Sequence, residues 1–415
     1  MSMVSCQTSS DGENMLLGLQ ESLPSLVARR FTAAKKSGSL VFSHTEVTTL
    51  KTSTVPFQLR YCPALAQKPT APPRQPQVNE ANVKPDPFQD PHTDLLIAHI
   101  PRSNPTHALV LNKYPVISNH FILATKPFKP QTHLLEADDL QAAYACLRAW
   151  ETSPHDAKHL PREEKLLDDW RPETPPIQKI EKQRRLFAFF NSGEHSGASQ
   201  PHRHLQFLPV EDMKKENDEF NWAPLIEEEE DEKEEEKEGD DDESQDKTGH
   251  HHHKLLGIDE AMTGESYEFP KLASLPFVCY ATPLPPNPTP DALHRTYLSL
   301  YTMAVTAAAQ YSESLLCNLA ASGVLETKGE SVISYNLAMT TSRMMICPRR
   351  SEHAWLPLGP EPKQGLVDEG LVKLNGTILA GTLLVKAEAE WNALRARPSI
   401  LEGVLMEVGI PTSAN

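Results

Sequence analysis

The sequence predicts an α+β fold built from two related halves. Short apolar runs of strand length interleave with amphipathic helical stretches. A strand-pair segment occurs twice, near residues 108–124 and again near 335–347. At 415 residues and 39% hydrophobic content, the chain can bury the core of one large or two ordinary domains without staples.

Residues 21–37 place Leu23, Leu26, Val27, Phe31 and Ala34 at helical spacing and stop at Gly38, a C-terminal cap signature. Residues 68–91 are dense in proline with almost no apolar periodicity, so an extended surface connection is expected. Ala108-Leu109-Val110-Leu111 and Phe121-Ile122-Leu123-Ala124 read as neighbouring strands, and residues 137–150 have helix composition. Leu186-Phe187-Ala188-Phe189-Phe190 is a buried-strand run that opens into a polar, glycine-rich loop over 191–200. Residues 202–209 then alternate apolar and polar as a second strand. Beyond a long acidic stretch, order resumes with a strand at 275–280, a helix over 290–313, paired strands at 335–339 and 344–347, and a last helix over 381–396. The chain accordingly divides into an N-terminal segment (1–66), a proline-rich connection (67–91), a half carrying the histidine strand (92–210), an acidic disordered insertion (211–256) and a second half (257–415).

The formal net charge of −16 argues at first sight against a polyanionic substrate. Residues 227–247 hold 15 acidic and three basic residues, however, leaving −4 for the remainder. Bulk charge therefore excludes no such substrate. The acidic run reads as a solvated insertion, and the tract His250 to His253 that follows lies among too few core-forming residues to mark a metal site. No stretch approaches the ~18 consecutive apolar residues of a membrane span, and the first residues lack the basic-then-apolar order of a secretory signal. Cys6, Cys62, Cys146, Cys279, Cys317 and Cys347 show no paired spacing. A cytoplasmic enzyme in a reducing compartment, with nuclear access open, is expected; nucleic-acid and membrane partners are not.

Residues two apart on a strand face one side, so His202, His204 and Gln206 project together while Leu205 and Phe207 anchor the other face. The preceding loop adds the hydroxyls of Ser196 and Ser199, the amide of Gln200 and glycine backbone N–H groups, the groups that cradle phosphate oxygens. A neutral imidazole attacks phosphorus without adding negative charge, and its N-phosphoryl product is reactive enough to be cleared, which splits the transfer in two. The attacking nitrogen must be unprotonated, with the other ring nitrogen donating to a carbonyl or carboxylate. Gln206 can donate to a non-bridging oxygen, and the donors together act as an electrostatic clamp. An isolated H-x-H pair is as readily half of a metal site or an ordinary surface feature. The serine-glycine loop beside it favours the nucleophile.

At these residues the chain resembles the histidine-triad superfamily, and within it the diadenosine tetraphosphate phosphorylases, the ATP adenylyltransferases found in fungi. Asn191, Ser192-Gly193, Ser196-Gly197-Ala198-Ser199-Gln200 and His202-x-His204-x-Gln206 are similar to that branch's active-site segment, with Gln206 in place of the third histidine. Hexose-1-phosphate uridylyltransferases share a similar H-x-H-x-Q. The adenylyltransferase branch is favoured by residues 55–65, Asp86-Pro87-Phe88, 109–115, Leu275-Pro276-Phe277, Ser334-Tyr335-Asn336, Cys347-Pro348-Arg349, Leu374-Asn375-Gly376 and Ala380-Gly381. The resemblance implies a histidine-triad-like two-half fold, an antiparallel sheet with flanking helices, related to the uridylyltransferases and acting as a monomer.

It further implies that His204 is the nucleophile, with His202 and Gln206 beside it. Asn112 and Lys113 would contact the nucleotide, Asn191 would support the catalytic strand, and Ser196, Gly197, Ala198, Ser199 and Gln200 would wrap the phosphates. Lys51 would be a further phosphate ligand. Where the family often has a basic residue after the threonine of the second-half strand, this chain has Thr341 after Thr340, so the distal-phosphate contact passes to Arg343. The implied reaction is reversible phosphorolysis of diadenosine tetraphosphate by orthophosphate to ATP and ADP, with other dinucleoside polyphosphates as related substrates. Exchange of sulfate for phosphate in adenylyl sulfate is a side activity. Mg²⁺ is expected as a companion of the polyphosphate, with no protein metal site. The competing readings are a uridylyltransferase, whose mark would be structural metal ligands, and a non-catalytic nucleotide-binding protein.

Because residues 227–253 offer no core-forming pattern, deleting them should leave turnover nearly unchanged. A large fall in kcat would make the insertion part of the site.

Overall fold

The computed structural model describes residues 17–53, 55–66, 85–151, 184–215, 222–227, 275–322, 325–358 and 370–412. The helix expected near the N-terminus is present as α1 (Leu23–Ser37). The Ser22 hydroxyl accepts from the Ser25 N–H at its start, and Gly38, at φ 79°, returns its N–H to the Lys35 carbonyl at its end. Its buried stripe includes Leu23, Leu26, Val27, Phe31 and Ala34.

The centre of the molecule is one eight-stranded sheet. Its strands are β3 (Leu96–Ile100), β4 (His107–Leu111), β5 (Phe121–Thr125), β6 (Leu186–Ser192), β7 (His204–Pro209), β8 (Tyr280–Pro283), β9 (Ser334–Met339) and β10 (Arg343–Arg349). The spatial order is β3-β4-β5-β7-β6-β9-β10-β8, antiparallel throughout. The two expected halves meet edge to edge at β6 and β9, where Asn191 lies opposite Asn336. A smaller sheet joins β1 (Glu46–Lys51) and β2 (Pro56–Tyr61) antiparallel, with β13 (Thr382–Val385) added parallel to β2. β11 (His353–Trp355) and β12 (Leu371–Lys373) form a two-stranded ribbon.

Alternation along the strands sorts the core into two layers. Leu205 and Phe207 join Phe121, Leu123 and the helices α2 (Ala137–Glu151) and α4 (Pro290–Tyr311) on one face. Phe187, Phe189, Leu208 and Ala338 join β1, β2, β13 and the helices α6 (Glu388–Ala396) and α7 (Ser399–Val408) on the other. On β7 that second face carries His204 and Gln206, so two buried apolar residues hold down the strand that presents the polar ones.

Several sequence expectations shift. The helix expected over 290–313 breaks at Ser312, at φ −130° and ψ 106°, into α4 and α5 (Glu313–Ser322). The helix expected over 381–396 begins only at Glu388. Its first residues are instead β13, whose Thr382-Leu383-Leu384-Val385 run pairs with β2 and covers the lower core. Within 275–280 only Tyr280 belongs to a strand, while Phe277 forms a lone bridge to Pro411. The insertion starts later than residue 211: Val210–Met213 is a helical turn (α3), and Met213, Trp222, Leu225 and Ile226 are buried. Glu227, the first acid of the run, pairs with Arg185. The rest of the acidic run and the histidine tract lie outside the described residues, as do residues 67–84 of the proline-rich connection. Among the described residues no helix is long and apolar enough to cross a membrane.

Phe207 is fully buried and stacks on Phe121 with centroids 4.8 Å apart and planes 4° from parallel. Phe207→Ala should therefore cost about 3–5 kcal/mol of stability by cavity formation, read from urea unfolding. A loss below about 1 kcal/mol would show that the strand is anchored elsewhere.

Candidate active site

The geometry begins where two neighbouring strands part. β6 and β7 pair from Leu186 opposite Pro209 to Phe189 opposite Gln206, and there the ladder stops. The side chain of Gln131 fills the gap: its Oε1 accepts the His204 N–H at 2.7 Å, and its Nε2 donates to the carbonyls of Asn191 at 2.7 Å and His204 at 3.2 Å. One amide thus replaces a rung of the ladder and satisfies the backbone of the splayed strands. Nothing in the sequence around Gln131 marks it for this role.

The His204 ring is fixed by its own strand. Its Nδ1 lies 2.8 Å from the carbonyl oxygen of His202; a carbonyl only accepts, so Nδ1 carries the proton and Nε2 keeps the lone pair. His204 is 2% exposed. Burial pushes its pKa down to about 4, a shift that the His202 hydrogen bond opposes without reversing. Phe88 covers the ring at 5.0 Å.

His202, fully buried, sits with Nε2 2.7 Å from the Thr125 carbonyl and Nδ1 2.6 Å from Asp86 Oδ2. The other Asp86 oxygen accepts the Phe88 N–H at 2.9 Å, so Asp86-Pro87-Phe88 forms one clamp with a carboxylate on His202 and a phenyl ring over both histidines. Behind the strand, Arg203 turns into the opposite face, 2.7 Å from Asp139 Oδ2, whose other oxygen lies 3.0 Å from His107 Nε2. Burial alone would raise the Asp139 carboxyl, but His107, Arg203 and the Glu136 N–H hold it below its ordinary value.

Gln206, half-buried on the face of His204, has Oε1 3.1 Å from His120 Nε2. The Nδ1 of His120 is 3.1 Å from Asn112 Nδ2, and Asn112 Oδ1 accepts the Tyr114 N–H at 2.9 Å. Asn112 thus has its amide engaged at both ends, behind Gln206. His120, which sequence reasoning passed over, is buried, and this pushes its pKa down to about 4.

The residues expected to wrap the phosphates lie on one short turn and the chain that follows it. Residues Glu194–Ser196 make a 3₁₀ turn between Gly193 at φ 88° and Gly197 at φ 78°. A Cβ on Gly197 would meet the Leu374 carbonyl at 2.5 Å, so only glycine fits there. Ser196 is buried, its hydroxyl donating to the Gly193 carbonyl at 2.7 Å, while Ala198 and Gln200 are half-buried and Ser199 is exposed.

Beneath the loop, Asn191 Oδ1 accepts from Asn336 Nδ2 and from the Gly376 N–H, each at 2.9 Å. Asn336 also donates to the Ser196 carbonyl at 2.9 Å and accepts from Arg349 Nη1. Burial pushes the Arg349 guanidinium down to about 10. Ser334-Tyr335-Asn336, Cys347-Pro348-Arg349 and Leu374-Asn375-Gly376 therefore meet at one place, the floor of the loop.

Two cations expected near the substrate are on the surface. Lys51 ends β1 in the smaller sheet and is exposed; Lys113 is exposed over the Tyr114 ring at 5.6 Å. Arg343, expected at the distal-phosphate end, opens β10 opposite Pro283, at the other end of the strand from Arg349 and about 20 Å away along it.

Comparisons with known proteins cover nearly the whole chain. The Ap4A phosphorylase N-terminal domain matches residues 14–153 and 177–228, and the ATP adenylyltransferase C-terminal domain matches residues 273–411. Diadenosine 5',5'''-P1,P4-tetraphosphate phosphorylase 2 of Saccharomyces cerevisiae is 24% identical over 413 residues, 95% of this chain and 97% of the relative. Protein APA1 of the same yeast is 23% identical over 414 residues, 96% and 97% of the two chains. The crystal structure of yeast Ap4A phosphorylase Apa2 in complex with Ap4A shares the fold with a TM-score of 0.60 at 22% identity, covering 95% of this chain and 100% of that one. The complex of the same yeast protein with AMP gives 0.59 at 21%.

The two buried imidazoles tie stability to pH. An unfolded histidine takes a proton near 6.5, whereas His204 and His120 refuse it in the fold until about 4. Between those values the unfolded chain binds more protons, so stability should fall as pH drops through that window, by up to about 1.4 kcal/mol per pH unit for each ring. Urea midpoints across pH 4 to 7 test this, and His204→Gln should flatten the fall. An unchanged profile would mean that the ring is not buried neutral.

Proposed function

The chain belongs to the Ap4A phosphorylase family and is an ATP adenylyltransferase; we propose that its phosphorolysis of diadenosine tetraphosphate runs through an adenylyl group carried on His204. One observation carries the reading: a buried imidazole whose Nδ1 donates its proton to the His202 carbonyl, leaving an Nε2 lone pair on the strand that follows a glycine-serine loop in the chain. Burial, which pushes its pKa down to about 4, keeps this ring in its neutral form at neutral pH.

In the first step Nε2 attacks the α-phosphorus. The new N–P bond forms as the bond to the bridging oxygen breaks, and ATP leaves with the electron pair. The positive charge that develops on the ring is stabilised through Nδ1 by the His202 carbonyl. The loop from Ser196 to Gln200 offers backbone N–H groups and the Ser199 and Gln200 side chains to the non-bridging oxygens, and Gln206 adds an amide. In the second step an orthophosphate oxygen attacks the same phosphorus. The N–P bond breaks, ADP leaves, and the imidazole is restored neutral. Each step runs backwards by the same contacts, so the reverse reaction makes dinucleotide.

The reading extends to other dinucleoside polyphosphates and to adenylyl sulfate, with Lys113 as a contact to the nucleotide and Lys51 as a further phosphate ligand. Mg²⁺ would accompany the polyphosphate as part of the substrate; among the described residues no group of three or more His, Cys, Asp or Glu side chains converges as a metal site. A monomer working in the cytoplasm completes the proposal.

Incubation with adenine-labelled dinucleotide and no orthophosphate should leave close to one acid-labile adenylate per chain, released as ADP when phosphate is added. His204→Ala, checked for folding by circular dichroism, should carry none. Equal labelling of that variant would overturn the assignment.

A further inference from the structure

The hydrogen-bond chain behind Gln206 has a sense that can be read from its far end. A side-chain amide can point its oxygen or its NH₂ either way, and only its partners decide. Here the first partner is a backbone N–H, which can only donate. The Tyr114 N–H therefore requires the oxygen of Asn112, 2.9 Å away, and so turns the Asn112 NH₂ toward His120. His120 Nδ1 must then accept, because a proton there would oppose the amide protons. The ring proton consequently sits on Nε2, which donates to Gln206 and requires its oxygen. The Gln206 NH₂ is left facing away from His120.

We propose that His120 is a positioning residue that locks the Gln206 amide with its NH₂ presented to a non-bridging oxygen of the reacting phosphate. This rests on the reading that His204 carries the adenylyl group, since that places the phosphate on the face shared by His204 and Gln206. The opposite setting would bring an amide oxygen against a phosphate oxygen as charge builds there, repelling what the site must stabilise. Burial supports the chain by keeping His120 neutral, with one donor and one acceptor nitrogen. Where a third histidine would need its own tautomer chosen, this chain sets an uncharged donor through a second histidine in another strand connection.

A double-mutant cycle with His120→Ala and Gln206→Ala, read in kcat of phosphorolysis, tests the proposal. His120→Ala alone should lower kcat about tenfold with KM changed less than about twofold, and should cost nothing further in the Gln206→Ala background. His120→Gln, which can supply an N–H to the Gln206 oxygen, should recover part of the loss. Equal losses from His120→Ala in both backgrounds would overturn the proposal and make His120 a packing residue; a folding defect would likewise appear in both. Labelling of His204 is measured on the same variants. An unlabelled wild-type chain would refute the adenylyl reading itself, whereas labelled variants with an additive cycle would refute only the role of His120.

Discussion

The hydrogen bond from His204 Nδ1 to the carbonyl of His202 is the contact on which the site depends, because it decides which nitrogen keeps a lone pair. It joins residues two apart, which a strand in a regular ladder would hold with their carbonyls turned toward a neighbour. Here β7 is released from β6 at Gln206, and the Gln131 amide takes up the freed backbone groups. The site is therefore built on a break in regular structure, made tolerable because the Gln131 amide meets the His204 N–H and the carbonyls of Asn191 and His204. Leu205 and Phe207 supply the opposing force, holding the strand to the sheet from its other face.

The second half of the chain holds the floor of the loop. Asn191 lies one residue from the end of β6, Asn336 faces it from β9, and the buried Arg349 of β10 closes the group with Gly376 alongside. A guanidinium in that position is costly to desolvate, and it is tolerated because its donors reach the Asn336 amide and the carbonyls of Val408, Ser351 and Leu374. Neither half could set the loop alone. The continuity of the sheet across β6 and β9 thus serves the loop as well as the core.

Strict alternation over 202–209 was enough to place His202, His204 and Gln206 on one face, and glycines with serines were enough to mark the loop, because both signals are local. The supports were not legible for the same reason. Gln131 acts through a gap between strands, His120 from just before β5, the strand beside β7, but 86 residues before Gln206 in sequence, and Arg349 from the other half of the chain. Asp86-Pro87-Phe88 and the three second-half segments stood out by resemblance, but their shared destination is a property of the folded sheet. The 381–396 segment was read as helix because Leu383, Leu384 and Val385 suit either state, and pairing with β2 decided between them.

The Phe88 ring closes over histidines that are already buried from below, and it arrives on a segment outside the main sheet, held by Asp86 on His202. An N-phosphoryl imidazole is open to water as well as to phosphate, and water is far more abundant. On the proposed mechanism the adenylyl group would be carried on a ring that is 2% exposed, so competing hydrolysis to AMP would be held down by access and not by binding. The small aromatic cover would then bear on product identity: it would help decide whether the bond energy of the dinucleotide is conserved in a second nucleotide or dissipated.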